Sequence, residues 1–181
     1  MNLPNKLTLG RIFLIPVFMF FLLVKITYGK YLAAFIFILA ASTDGLDGYI
    51  ARKRKQITNF GKIMDPLADK LLVTAALVSL VQLGEISAWP AFIILGREFA
   101  ITGLRSVAAA EGIVVSASYL GKIKTVMQII AISLILLEDF YIKYIDFPVG
   151  EIFLYIALFF TIWSGIDYVR KINAKIKIDD I

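Results

Sequence analysis

Apolar residues form long runs along this chain, and charged residues interrupt the runs at intervals. The longest stretches without Asp, Glu, Lys or Arg cover residues 12–24, 31–43, 71–84, 125–137 and 152–166. Together with their flanking residues they predict six helices, near 7–27, 31–51, 62–84, 87–110, 119–140 and 149–171. Glycine-containing breaks and an acidic, proline-containing stretch at 138–148 separate these helices. The pattern is that of an all-α protein.

Composition places these helices in a membrane. The chain has 181 residues, of which 60% are hydrophobic, and its mean hydropathy is +0.83. This is more apolar surface than a soluble core of that size can bury. Because a span needs about 20 apolar residues, we expect six transmembrane helices in a single membrane domain, residues 1–181, with residues 1–10 as a candidate interfacial amphipathic segment. Since every uncharged run is shorter than a span, some charged side chains must lie within the membrane boundary.

Basic residues predict the orientation of the chain. If the amino terminus is cytoplasmic, 16 of the 19 Lys and Arg residues fall at cytoplasmic ends and loops, and only Lys25, Lys30 and Lys143 fall outside. This asymmetry predicts a multi-pass protein of the cell membrane with both termini in the cytoplasm. The chain contains neither Cys nor His, which leaves carboxylates, Lys, Arg, hydroxyls or a hard metal ion to carry any chemistry.

Four aspartates stand at the cytoplasmic ends of the second and third predicted helices: Asp44, Asp47, Asp65 and Asp69. Residues three or four apart in a helix share one face, so two facing helices would bring the carboxylates together. Cations would relieve their mutual repulsion. Oxygen ligands without Cys or His suit Mg²⁺, Mn²⁺ or Ca²⁺, and four carboxylates could carry two such ions.

Small and basic residues accompany the aspartates. Gly48 and Ala51 lie on or beside the same helix face, where a minimal side chain lets a bulky ligand approach the backbone. Arg52 lies eight residues after Asp44 on this face, where a guanidinium could hold a phosphate beside the metal ions,. Metal ions and an arginine together point to phosphoryl transfer. A solvated helix cap or close helix packing would explain each feature alone, but not the ordered set.

The residues from Asp44 to Asp69 match the pattern Asp-x2-Asp-Gly-x2-Ala-Arg-x8-Gly-x3-Asp-x3-Asp at every position. In this respect the chain resembles the CDP-alcohol phosphotransferases, whose signature this pattern is. The resemblance implies the fold of that family with six transmembrane helices, a homodimer, and two divalent cations, Mg²⁺ or Mn²⁺, held by the four aspartates in each active site. It also implies a polar cavity open to the cytoplasm, where a CDP-linked donor meets an alcohol acceptor and CMP leaves.

Outside the signature, the chain resembles the phosphatidylglycerophosphate synthase branch of that family. The matching stretches are residues 2–8, 65–72, 97–105 and 120–125. This likeness implies CDP-diacylglycerol as donor and sn-glycerol 3-phosphate as acceptor, with phosphatidylglycerol phosphate and CMP as products. No nucleic-acid partner is expected. The predicted donor-binding residues are Asp44, Asp47, Gly48 and Arg52.

Four basic residues are the predicted acceptor site: Arg97, Arg105, Lys122 and Lys124. Several cations inside an apolar helix bundle are costly unless an anion neutralises them, and glycerol 3-phosphate brings close to two negative charges. A structural explanation stays open, because Glu98 or Glu111 could pair with these cations. Lys124 could also face lipid headgroups.

The resemblance also assigns a role to Asp69, as the general base besides being a metal ligand, while the acceptor 1-hydroxyl attacks the lipid-bearing phosphorus. Alternatives within the family are phosphatidylinositol phosphate synthase and cardiolipin synthase, because a cationic pocket distinguishes phosphate better than it distinguishes a polyol. A cation transporter is the alternative from another class, because carboxylates inside a membrane also mark ion paths. The confinement of all four aspartates to one side argues against transport.

Overall fold

A computed structural model describes the backbone of residues 3–53, 59–112 and 118–179. Within these ranges, the side chains of residues 3–6, 44–53, 59–60, 62–63, 65 and 175–179 lie outside the description. The described residues contain helices and no strand, as the hydrophobic pattern predicts. The helices are α1 (Leu3–Leu23), α2 (Gly29–Lys53), α3 (Asn59–Gln82), α4 (Ala88–Ala110), α5 (Tyr119–Leu136), the short α6 (Glu138–Tyr141) and α7 (Val149–Asp179).

The six predicted helices are present, with some ends shifted. α1 starts at Leu3, so the candidate interfacial segment is continuous with it, and it ends at Leu23 rather than near residue 27. In the connection between α1 and α2, Tyr28 adopts a left-handed conformation with φ 66°, outside the right-handed helical region. The predicted helix 119–140 is broken after Leu136, and α7 continues beyond residue 171 to Asp179.

Capping fixes the ends of the helices that carry the predicted acceptor site. The Ser118 side chain accepts a hydrogen bond from the Gly121 backbone N–H at 3.1 Å and so caps α5,. α4 is followed by Gly112, whose φ of +79° is open to glycine and strained for other residues,. The start of α5, which bears Lys122 and Lys124, is thus set by local chemistry.

The helices pack as a bundle in which α1 contacts α2 and α3, and α7 contacts α4 and α5. Phe18 of α1 and Phe37 of α2 are fully buried in the main core, with ring centroids 5.8 Å apart. At the start of α7, a Cβ on Gly150 would meet the backbone N of Ile135 at 2.8 Å. Glycine is therefore required there for the close contact between α7 and α5. A smaller cluster joins α4 to α7 and consists of Ile101, Ala108, Tyr168 and Ile172.

The outer surface of the bundle is rich in large apolar side chains. Phe13, Trp89, Phe92 and Phe159 are all more than half exposed. In the described residues, two helices are long and apolar enough to cross a membrane, Tyr119–Leu136 and Val149–Ala174, and only 33% and 28% of the residues in their apolar windows are buried. Shorter apolar helices cover Leu7–Leu23 and Gly29–Thr43. So much exposed apolar surface is unfavourable in water and matches a lipid environment.

Candidate active site

Helical backbone runs through both halves of the aspartate pattern. Asp44 and Asp47 lie in α2, Asp65 and Asp69 lie in α3, and these two helices pack against each other. The side chains of Asp44, Asp47, Arg52 and Asp65, and the surroundings of Gly48, lie outside the described residues. Among the described side chains, no group of three or more acidic residues could hold a metal ion. The four-aspartate set and the donor contacts therefore stay predictions.

Asp69 is the member of the set whose side chain is described, and it lies near one of the basic residues of α5. Its carboxylate is half-buried and close enough to Lys124 for their charges to interact. The neighbouring Lys70 donates a hydrogen bond to the Thr102 hydroxyl of α4. Thr102 in turn donates to the Glu98 carbonyl at 2.6 Å. The aspartate segment of α3 is thus linked to the part of α4 that carries the predicted acceptor site.

Three charged side chains, here called the buried cluster, meet where α4 faces α5: Arg97, Glu98 and Lys124. The exposed fraction is 15% for the Arg97 and Glu98 side chains and 5% for Lys124. Glu98 Oε1 accepts a hydrogen bond from Lys124 Nζ and lies 3.5 Å from Arg97 Nη1. The structural pairing that the sequence left open is therefore present for Glu98. Lys124 faces this carboxylate inside the bundle and not the lipid headgroups.

Arg97 is also held from the side of α7. Its Nη2 donates a hydrogen bond to Ser164 Oγ at 3.0 Å. Gly165 leaves room for the arginine stem, because a Cβ on that residue would already touch Arg97 Cγ at 3.4 Å. Arg97 Nε is buried and has no hydrogen-bond partner in the described part of the chain. Arg97 thus contacts a neutral oxygen closely, contacts a carboxylate at a longer distance, and keeps one donor unused.

A run of buried polar groups fixes the orientation of Ser164. Its hydroxyl donates to the Thr161 carbonyl at 3.1 Å, which leaves its oxygen lone pairs to accept from Arg97,. The Thr161 hydroxyl donates to the Ala157 carbonyl at 2.6 Å and accepts from Gln128 Nε2 at 3.2 Å. Ser164 and Thr161 are 0% exposed. α5 and α7 are therefore joined by the Gln128–Thr161 hydrogen bond, three residues before Ser164 along α7.

The other two predicted acceptor residues lie outside the buried cluster. Arg105 is exposed, and its guanidinium carbon lies 5.5 Å from the centroid of the Tyr168 ring on α7, within the range of a cation–π contact. Lys122 is exposed on α5. The structure thus brings together Arg97 and Lys124 of the predicted four, and it leaves Arg105 and Lys122 toward the surface.

Sequence reasoning did not single out Ser164, Thr161, Gly165 or Gln128. A signal for them exists in α7, where Thr161 and Ser164 stand three residues apart in an otherwise apolar stretch and so share one helix face,. Hydroxyls at such positions in a membrane helix commonly bond to a neighbouring helix. The sequence gives no indication that their partner is Arg97.

The charges of the buried cluster are unevenly compensated. Lys124 contacts Glu98 and also lies in the field of Asp69, whereas Arg97 shares the Glu98 oxygen at 3.5 Å and otherwise has a neutral partner. Burying a charge without a close counter-ion costs several kcal/mol, on the order of the effective penalties in real proteins. An arginine with a spare donor and incomplete compensation favours an anionic ligand. The described residues can thus bind an anion near a carboxylate, Asp69, that could accept a proton.

Comparisons with known proteins match nearly the whole chain. A family model described as CDP-alcohol phosphatidyltransferase matches residues 1–163. A Bacillus subtilis protein named CDP-diacylglycerol–glycerol-3-phosphate 3-phosphatidyltransferase is 50% identical in an alignment that covers 94% of each chain. A protein of the same name from Rickettsia felis is 42% identical over 93% of this chain and 94% of its own. Another, from Haemophilus influenzae, is 40% identical over 93% of this chain and 92% of its own.

Proposed function

The chain belongs to the CDP-alcohol phosphatidyltransferase family, and from this premise we propose that it transfers the phosphatidyl group of CDP-diacylglycerol to sn-glycerol 3-phosphate. The products are phosphatidylglycerol phosphate and CMP. The observation that carries the proposal is the similarity, over nearly the full length, to proteins named for this reaction. The incompletely compensated charge of Arg97 supports it, because the acceptor is an anion.

Arg97 is the proposed ligand of the acceptor phosphate. Its guanidinium lies inside the bundle with a side chain that is 15% exposed, and a planar guanidinium matches the oxygens of a phosphate. Lys124 adds positive charge beside Asp69. Arg105 and the exposed Lys122 would attract the anion toward the site over a longer range.

The proposed reaction is a displacement at the lipid-bearing phosphorus. The acceptor 1-hydroxyl oxygen forms a bond to this phosphorus, the bond from phosphorus to the bridging oxygen breaks, and CMP leaves with that electron pair. Asp69 takes the hydroxyl proton as general base. Holding the acceptor phosphate at Arg97 would place the hydroxyl near the base and remove the entropy cost of bringing the two reactants together.

The aspartate pattern fits divalent cations in its chemistry. It supplies an oxygen-only donor set on two helices that pack together, and such sets suit Mg²⁺ or Mn²⁺. Two bound ions would supply neutralising charge for the donor pyrophosphate. Arg52 would hold the CDP portion, and Gly48 would let it approach the backbone. The proposed metal ligands are Asp44, Asp47, Asp65 and Asp69, of which Asp44 and Asp47 also belong to the proposed donor site.

The proposed setting is the cell membrane, with the site open to the cytoplasm. α1 to α5 and α7 would supply six crossings of one membrane domain, residues 1–181, with both termini cytoplasmic and two copies forming a homodimer. The exposed apolar side chains of the bundle and the one-sided distribution of Lys and Arg support this topology,.

A panel of acceptors tests the function directly. Purified protein in detergent micelles is given Mg²⁺ and CDP-diacylglycerol together with glycerol 3-phosphate, inositol phosphate, free inositol, serine or phosphatidylglycerol, and CMP release is measured. We expect CMP with glycerol 3-phosphate and little with the other acceptors. A parallel arm with EDTA should abolish the release, and added Mg²⁺ or Mn²⁺ should restore it.

Other outcomes identify the alternatives. CMP with inositol phosphate alone would assign the chain to phosphatidylinositol phosphate synthesis, and CMP with phosphatidylglycerol alone would assign it to cardiolipin synthesis. Absence of CMP with every acceptor, from a folded preparation, would reject the transferase function and direct attention to cation transport.

A further inference from the structure

We propose that Ser164 is a positioning residue, assisted by Gly165, that fixes the Arg97 guanidinium for the acceptor phosphate. The proposal rests on the proposed function, because it takes Arg97 as the phosphate ligand. Ser164 lies on α7, 67 positions after Arg97 along the chain, and the hydrogen bond between the two side chains connects α7 to the predicted acceptor site on α4.

The first reason for this proposal is that Arg97 has an uncharged hydrogen-bond partner. Lys124 binds the Glu98 carboxylate, which offsets its charge, whereas the closest described contact of Arg97 is the Ser164 hydroxyl at 3.0 Å. A hydroxyl orients a guanidinium without cancelling its charge. Arg97 therefore stays attractive to a phosphate, while its position is set in advance.

The fixed direction of the hydroxyl is the second reason. Ser164 has one proton to donate, and that proton goes to the Thr161 carbonyl at 3.1 Å,. Its oxygen can thus only accept from Arg97. A rotation of Ser164 away from Arg97 would break its own hydrogen bond to the Thr161 carbonyl, and this bond lies at a fully buried position.

The space above Gly165 is the third reason. A Cβ on this residue would lie 3.4 Å from Arg97 Cγ and 3.7 Å from Arg97 Nε, so the arginine stem packs directly against the glycine. An arginine side chain has many rotamers and loses conformational entropy when it is ordered. Ordering it before the acceptor arrives removes this cost from the binding step.

Steady-state kinetics with each substrate varied in turn test the proposal. Ser164→Ala should raise the KM for glycerol 3-phosphate about tenfold, the effect expected from losing one hydrogen bond to a charged group. The KM for CDP-diacylglycerol should change by less than about twofold, because Ser164 acts through Arg97 alone. Ser164→Thr keeps the hydroxyl and should restore most of the affinity for glycerol 3-phosphate.

Ser79→Ala is the matched control. Ser79 is also 0% exposed, and its hydroxyl has no hydrogen-bond partner among the residues described, so the same substitution should leave both KM values unchanged. Gly165→Val is a second, independent variant that displaces the Arg97 stem and leaves Ser164 in place, and it should produce the same selective rise. The increase in Tm caused by glycerol 3-phosphate provides a readout that needs no turnover.

The outcomes separate this inference from the function on which it rests. If Arg97→Ala selectively raises the KM for glycerol 3-phosphate and Ser164→Ala does not, the positioning role of Ser164 is rejected and the proposed acceptor site is retained. If Ser164→Ala changes both KM values alike, the serine has only a structural role. If Arg97→Ala itself has no selective effect, the assignment of the acceptor site fails first.

Discussion

Two clusters of charged side chains in this bundle are built differently. In the bundle-end cluster, Lys30 at the start of α2 lies 2.7 Å from Glu85 Oε1 and 3.4 Å from Asp139 Oδ2. One cation there meets two carboxylates and joins α2 to the turn after α3 and to α6. In the buried cluster, two cations share one oxygen of Glu98, and the firmest contact of Arg97 is with a serine.

The difference separates a compensated ion pair from a cluster that keeps excess positive charge. A cation flanked by two acids has no need of a further anion, so the charge of Lys30 is compensated within the bundle-end cluster. Arg97 retains positive charge deep in the bundle, at a cost in free energy that burial increases. Binding of an anionic substrate would offset that cost. Substitutions in the two clusters should therefore affect different properties of the protein.

The largest contrast is expected between two aspartate variants. Asp69→Asn should reduce CMP release by about 10²–10⁴-fold, because the general base and one proposed metal ligand are lost together. Asp139→Asn removes an exposed carboxylate of the bundle-end cluster and should leave the rate unchanged. The rate is measured on protein recovered from the membrane fraction in equal amounts. Substantial turnover by Asp69→Asn would contradict both roles assigned to Asp69.

Removal of the Arg97 guanidinium is expected to have the next largest effect. Arg97→Ala should raise the KM for glycerol 3-phosphate about 100-fold, the upper size for a lost charged hydrogen bond, with little change for CDP-diacylglycerol. Arg97→Lys keeps the positive charge but lacks the planar guanidinium. Its KM for glycerol 3-phosphate should therefore lie between the values for the unchanged protein and for Arg97→Ala. Initial rates of CMP release at varied acceptor concentration measure the effect. An equal rise in both KM values would count against the phosphate site.

Glu98→Gln should affect stability more than chemistry. The amide still accepts a hydrogen bond from Lys124 but no longer offsets its charge, so the free energy of unfolding should fall by about 2 kcal/mol. Because the buried cations then lack their counter-ion, glycerol 3-phosphate should raise the Tm of Glu98→Gln more than that of the unchanged protein. Thermal unfolding in detergent, with and without this ligand, measures both effects. An unchanged Tm would mean that Glu98 does not compensate the cluster.

The smallest effect is expected at the bundle-end cluster. Lys30→Met should lower the free energy of unfolding by about 1 kcal/mol or less, the usual value of a partly exposed ion pair. Both KM values should stay as they are, because the cluster lies apart from the acceptor residues. A selective change in the KM for glycerol 3-phosphate would show that the two clusters are coupled and that their separation into structure and binding is wrong.

The all-α class was predictable from the sequence, because the positions of the apolar runs indicate where the helices lie. The ends were less predictable. α1 stops at Leu23 and the chain breaks after Leu136, and the hydrophobic pattern marks neither residue as a helix end. That all six helices cross the membrane stays a prediction. In the described residues, two helices are long and apolar enough to do so.

At the site, the sequence identified residue types better than contacts. It pointed to Arg97 and Lys124 as cations needing an anion, and it named Glu98 as a possible structural partner. The structure shows that Lys124 and Glu98 are paired and that Arg105 lies by Tyr168. Spacing along α4 cannot distinguish these cases, because the partners come from other helices.

By itself, the sequence determined the helical class, the family and the spacing of the aspartates, because these depend on local composition and on neighbours within one helix. Only the tertiary structure decided which buried cation is compensated. Arg97, Lys124 and Ser164 belong to three helices, α4, α5 and α7, and the packing of these helices sets the distances between them. Since electrostatic and hydrogen-bond energies depend on such distances and on burial, the distinction between a compensated cation and a partly compensated one is a property of the fold.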